Sequence, residues 1–299
     1  MLKYINILFF SFLLSQYAPY FDGDLAYEHL LKQCSFGPRY PGSKAHVDFK
    51  NFLVKYLENY NNQVEVYEHE ILHPYDSTNI VLFNVLSQYN LNADDRILLM
   101  AHWDTREIAD LDKDETKRDL PILGANDGAS GIAALMVFAE IFSKNKLQNI
   151  GVDLLFVDGE DMGRQGELEN FCLGSKLFAA EKKYKPPKLA ICLDMVADKD
   201  PEFKMEYFSY LQAQKELFDI WNLANSLGYS EFTYELTGPI YDDHKAFYDV
   251  TKIPSIDIID FDYPYWHTLE DTPDKCSAKT LQIVGNVVLE YIYRMDLDE

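Results

Sequence analysis

Residues 97–104 read Ile-Leu-Leu-Met-Ala-His-Trp-Asp, and this octad decides the fold. Five apolar residues without alternation describe a strand buried on both faces, as in a parallel sheet covered by helices on each side. The run stops abruptly at His102 and Asp104. Two further runs share this design: Val152 to Val157 (VDLLFV), which stops at Asp158-Gly159-Glu160-Asp161, and Leu189 to Val196 (LAICLDMV), which carries Asp194. A fourth, Ile253 to Ile259, is interrupted by polar residues. Between the first two lies GASGIAALMVFAEIFSK, which predicts an amphipathic helix beginning near Asp127.

Outward from this centre the signals weaken but stay consistent. Asp24 to Cys34 and Ser43 to Tyr60 predict helices; in the second, Ser43 caps and Val47, Phe49, Leu53 and Leu57 recur at helical spacing. Val64 to Leu72 and Asn79 to Val85 read as strands. Ala278 to Met295 closes the chain as a helix with Leu281, Val284, Val288, Leu289 and Ile292 on one face. Strands alternating with helices predict an α/β fold: a three-layer α/β/α arrangement with a mostly parallel, mixed central sheet. Its active site is expected at the carboxyl ends of the strands. No repeat period or Pro/Gly/Ser-rich linker divides the chain, so residues 19–299 are expected to form one catalytic domain.

Composition narrows the function classes. A 47% hydrophobic content excludes a disordered or low-complexity chain. With 27 Lys+Arg against 49 Asp+Glu, a net charge of −22, a nucleic-acid partner is not expected. At the N-terminus, Lys3 precedes the uncharged stretch Ile5 to Leu14. That stretch is too short for a membrane span, which takes about 20 residues, but suits a signal peptide over residues 1–18. The expected location is therefore outside the cytoplasm, periplasmic or secreted, with no stable membrane span and no Cys placed for a lipid anchor. Cys34, Cys172, Cys192 and Cys276 are scattered, which excludes a thiolate zinc finger. In an exported chain one disulfide could form, with the pairing open, while Cys192 reads as a buried free thiol.

Three strand ends deliver His102, Glu160 with Asp161, and Asp194 to one edge of the sheet. Gly124 to Gly131 (GANDGASG) adds Asp127 in a glycine-rich turn, and Tyr265-Trp266-His267-Thr268 adds a late histidine. Nitrogen and carboxylate donors without thiolate suit a catalytic zinc with an open position. Singly, Asp127 reads as a helix cap, His102 as a structural histidine and Glu160-Asp161 as a solvated pair. Asp194, flanked by Leu193 and Met195, needs a partner or a metal.

The set HWDTR, GANDGASG, DGED, CLDMV and YWHT resembles the zinc aminopeptidase superfamily, from about Phe36 to Tyr293. Within it the chain looks most like the glutaminyl cyclases, in the bacterial form that resembles the animal enzyme. Trp266 immediately before the last histidine and the Tyr241-Asp242-Asp243-His244 segment tilt the resemblance from peptidase to cyclase. It implies one zinc per chain held by Asp127, Asp161 and His267, with Glu160 as general acid/base. Asp194 and Asp243 match the paired inner carboxylates, expected to share a proton if adjacent, and Trp266 the tryptophan that holds the substrate amide. Asp161 stands where the animal enzymes have Glu; bacterial relatives also carry the shorter ligand. The implied partners are peptides and proteins with N-terminal glutamine, cyclised to pyroglutamate with loss of ammonia. An aminopeptidase with two zinc ions bridged by Asp127, using His102 and Asp194 as well, is the alternative. The oligomeric state is not legible.

Overall fold

The computed structural model describes residues 17–298, so the expected signal stretch Ile5 to Leu14 lies outside the described residues. The chain runs α1 (Gly23–Cys34), α2 (Lys44–Glu58), β1 (Val64–Leu72), β2 (Asn79–Tyr89), β3 (Arg96–His102), α3 (Ala129–Lys144), β4 (Gly151–Val157), α4 (Leu173–Glu181) and β5 (Leu189–Asp194). It continues through β6 (Phe203–Met205), α5 (Tyr207–Gln212), α6 (Gln214–Ser226), β7 (Phe232–Leu236), α7 (Asp243–Thr251), β8 (Ser255–Ile259) and α8 (Ala278–Asp298).

Six strands form a mixed sheet in the order β1-β2-β4-β3-β5-β8. The β1–β2 and β2–β4 pairs are antiparallel, and the β4–β3, β3–β5 and β5–β8 pairs are parallel. The expected α/β architecture is therefore present, with its parallel half built from the apolar runs. Side chains of these strands alternate between two apolar layers, as the two-residue period requires. Ile97, Leu99, Ala101, Leu154, Phe156 and Ile191 face the layer under α1, α2, α3 and α8. Leu98, Met100, Leu155, Val157 and Cys192 face a smaller layer with Phe178 of α4 and Phe247 of α7. Among the described residues, no helix is long and apolar enough to cross a membrane.

Element ends differ from expectation where the backbone turns. β2 runs on to Tyr89 because Val85 to Tyr89 pair with β4, past the end of its register with β1 at Ser87. β5 stops at Asp194, since Met195 adopts a left-handed conformation with φ 46°. β8 begins at Ser255, after Pro254, whose carbonyl accepts from Ala190 N–H; proline has no N–H to continue the ladder. α3 starts at Ala129, capped by Gly128 at φ 97°, and Asp127 makes no capping bond. The four cysteines are free thiols, so the disulfide option is not taken.

Just past β8, Asp260 is buried and accepts a long bond, 3.3 Å, from Glu202 N–H. Burial, aided by Asp198, pushes its carboxyl up to about 7. A carboxyl ordinarily titrates near 3.9, so its contribution to stability is complete below about pH 4 and is lost as pH rises through about 7. Asp260→Asn keeps the acceptor without the charge. It is expected to melt about 2–4 °C above the parent at about pH 8, the difference closing below about pH 4. Thermal melts across that range check it; a difference independent of pH would show that the charge plays no part.

Candidate metal and catalytic site

The chain crosses from one side of β3 to the other, going first to β4 and then to β5, which opens a crevice at the carboxyl ends of these strands. His102 is paired with Val157 at the last register position of β3 and β4, so the residues that follow each strand emerge at one level. Asp104 then accepts from Glu160 N–H and Asp161 N–H, both at 3.1 Å, and fixes the loop after β4. Asp271 does the same for the glycine-rich turn, accepting from Asn126 N–H at 2.9 Å, Asp127 N–H at 3.1 Å and the Tyr263 hydroxyl at 2.8 Å. Gly128 lets that turn press on β3: a Cβ there would lie 2.5 Å from the Asp104 carbonyl and 3.2 Å from the His102 ring.

Two donor sets result, and they share Asp127. Asp127, Asp161 and His267 form one, His102, Asp127 and Asp194 the other. His267 Nε2 lies 3.4 Å from Asp161 Oδ1 and 3.8 Å from Asp127 Oδ2. His102 Nε2 lies 3.2 Å from Asp127 Oδ1 and 3.3 Å from Asp194 Oδ1. The sets differ in what remains unsatisfied. Asp127 Oδ2 and Asp161 Oδ2 are buried without a hydrogen-bond partner, an arrangement that costs free energy unless a cation occupies it. In the other set, His102 Nε2 engages Asp194, and Asp194 also accepts from Met195 N–H at 2.8 Å, while His102 Nδ1 is buried without a hydrogen-bond partner. The first set thus offers a metal ion two unpartnered carboxylate oxygens and a ring nitrogen.

Outer groups hold that set rigid. Arg106 donates to Asp161 Oδ1 at 2.7 Å and grips Asp110 through two bonds, at 2.7 and 2.8 Å. Asp110 in turn lies 3.4 Å from His267 Nδ1. Burial opposes charge on His267, but Asp161 and Asp110 overcome it and lift its pKa to about 9. Burial and then Asp161 raise Asp127 to about 6. Glu160 is pushed well above the ordinary carboxylate range, by burial first and then by Asp161, Asp242 and Asp243, with His102 pulling the other way.

Trp266 stacks near His267, ring centres 3.9 Å apart. Both line a cavity of about 250 Å³ walled by Leu111, Phe171, Ile240, Tyr241 and Phe261. The aromatic loop divides in two: Phe261 joins the cavity beside Trp266, whereas Tyr263 packs on Tyr265 and turns its hydroxyl to Asp271.

The structure thus gathers His102, Asp127, Glu160, Asp161, Asp194, Trp266 and His267. Asp194 and Asp243, expected as paired inner carboxylates, have Asp242 beside them. The acid whose charge bears on Asp194 is Asp242, which also lies with Glu160 and Cys172 in one cluster. Asp242 precedes α7 and caps it, so its side chain turns back over the helix end, while both carboxylate oxygens of Asp243, one residue into the helix, are buried without a hydrogen-bond partner. Sequence reasoning gave no role to Arg106, Asp110, Asp271 or Cys172. Only Arg106, inside the HWDTR stretch, carried a signal: a cation next to a group of acids.

Residues 84–292 match peptidase family M28. Among solved structures, the chain is similar to a glutaminyl cyclase of Bacteroides thetaiotaomicron, bound to N-acetylhistamine, with 36% identity and a TM-score of 0.88 over 92% of this chain and 99% of that one. It is similar to a Porphyromonas gingivalis glutaminyl cyclase at 33% identity and TM-score 0.89, covering 93% and 100%. A leucine aminopeptidase precursor from Bacteroides thetaiotaomicron matches at 37% identity and TM-score 0.89, covering 92% and 98%.

Proposed function

Because the chain belongs to peptidase family M28, we propose that it is an exported glutaminyl cyclase using one zinc ion. Its substrates are peptides and proteins with N-terminal glutamine, which it converts to pyroglutamate with release of ammonia. The observation that carries this reading is the apolar cavity walled by Trp266 against His267. Such a pocket takes a flat amide and excludes the water that would compete with ring closure.

Asp127, Asp161 and His267 would hold the zinc, which supplies Lewis acidity toward the side-chain carbonyl of the glutamine when bound. Glu160 accepts a proton as the α-amine attacks that carbonyl, and returns it to the amide nitrogen, which leaves as ammonia. One C–N bond forms and one breaks, with no water consumed. The raised affinity of Glu160 for protons suits both halves of this transfer. Asp242 and Asp243, near Glu160, and Asp194, near Asp242, set negative charge complementary to the substrate amine, and Trp266 packs against the amide.

A dizinc aminopeptidase remains the second reading, favoured by the second donor set of His102, Asp127 and Asp194. A peptide such as Gln-Phe-Ala separates the two. Cyclisation is expected to release ammonia and leave a blocked peptide of unchanged residue count, on a protein carrying about one zinc per chain. Free glutamine from a protein with about two zinc ions would establish the peptidase.

A further inference from the structure

We propose that Cys172 is a positioning residue for Glu160, its thiol holding one carboxylate oxygen so that the other faces the substrate; this rests on the assignment of Glu160 as the acid/base. The thiol Sγ lies 3.2 Å from Glu160 Oε1 and donates to it. Cys172 N–H also donates to the Glu160 carbonyl at 2.8 Å, so one residue clamps both ends of the other. Glu160 Oε2 forms no hydrogen bond and is not among the fully buried unpartnered atoms, so the second oxygen is left accessible. The clamp is built at a cost. Cys172 is fully buried and takes a left-handed backbone, φ 54° and ψ 37°, at the start of α4, where it provides no side-chain cap. An ordinary side chain adopts that conformation under strain, found where the surroundings dictate it. Phe171, the preceding residue, walls the cavity and packs its ring under Arg106, so the same turn joins Glu160, cavity and metal support. Burial, together with the nearby Glu160, Asp243 and Asp242, keeps the group a neutral thiol and hence a donor.

The role is one of orientation, so it is read in kcat. In the zinc-loaded protein, Cys172→Ala is expected to lower kcat about tenfold, with KM within about twofold and zinc content unchanged. Cys172→Ser, which differs from it by one hydroxyl donor, is expected to stay within about threefold of the parent. Cys172→Gly, at ease in a left-handed backbone, gives the same comparison free of strain if the alanine variant melts early. On a Glu160→Gln background, loss of the thiol should change kcat less than about twofold. Equal losses in the alanine and serine variants would make Cys172 a packing residue, and parent-like kcat in alanine or glycine would remove it altogether. Either result overturns the proposal, as does a further slowing of Glu160→Gln. The parent itself decides the larger reading: if it releases free amino acids and no ammonia, the cyclase assignment fails. The variant ratios then test Cys172 on hydrolysis, where Glu160 has the same duty. A parent with neither activity overturns both.

Discussion

Glu160→Gln is expected to reduce kcat for pyroglutamyl formation by about 10²–10⁴-fold, the range of a lost general acid/base. The substitution preserves shape and hydrogen bonding, but an amide cannot ferry a proton from the attacking amine to the leaving nitrogen. Zinc content and melting temperature should remain close to the parent, because Glu160 lies outside the donor set of Asp127, Asp161 and His267. KM should move far less than kcat. Ammonia release from a short Gln-peptide and metal content, measured on one preparation, check all three. Turnover within a few-fold of the parent would take Glu160 out of the mechanism. Loss of zinc would make it a ligand and displace Asp161.

His267→Ala should abolish both zinc binding and turnover, since two carboxylates are too few to retain the ion. Its contrast is His102→Ala. His102 Nε2 serves Asp127 and Asp194 by direct contact, so its removal should leave most of the zinc in place while unbalancing two buried acids. Elemental analysis of the two variants distinguishes the sets. If His102→Ala loses one of two bound ions and all activity, the dizinc arrangement is correct.

What the sequence revealed tracks how local the cause is. The three apolar runs were legible because strands buried on both faces must be apolar at every position, and the layers under β3, β4 and β5 bear this out. His102, Glu160, Asp161 and Asp194 were legible because strand ends of a parallel sheet meet in space. Asp242 gave no separate signal, because which of two adjacent carboxylates caps α7 is a matter of one backbone turn. Asp110 and Asp271 were illegible for another reason: each acts on residues of distant segments, His267 and Asp127, and nothing in local pattern records such a pairing. The helix α6 was there to be read, in the spacing of Leu217, Ile220, Trp221 and Ala224; the strand β6 was not, since its three residues carry no period.

The bonds between residues 106–112 and the histidine loop have a consequence for anyone wishing to redesign this protein. Leu111 N–H donates to the His267 carbonyl at 3.2 Å, Leu269 N–H donates to Asp112 at 3.0 Å, and Arg106 and Asp110 brace the ligands themselves. Those two loops are one mechanical part. An insertion in either would be transmitted to the metal, and selection for new substrates would exhaust itself repairing the damage. Leu168 and Phe261, exposed at the rim of the same cavity, have no such bonds to the ligands. A library confined to those two positions varies the pocket mouth without cutting a hydrogen bond to the ligands, Phe261 acting on the site through its contact with Trp266.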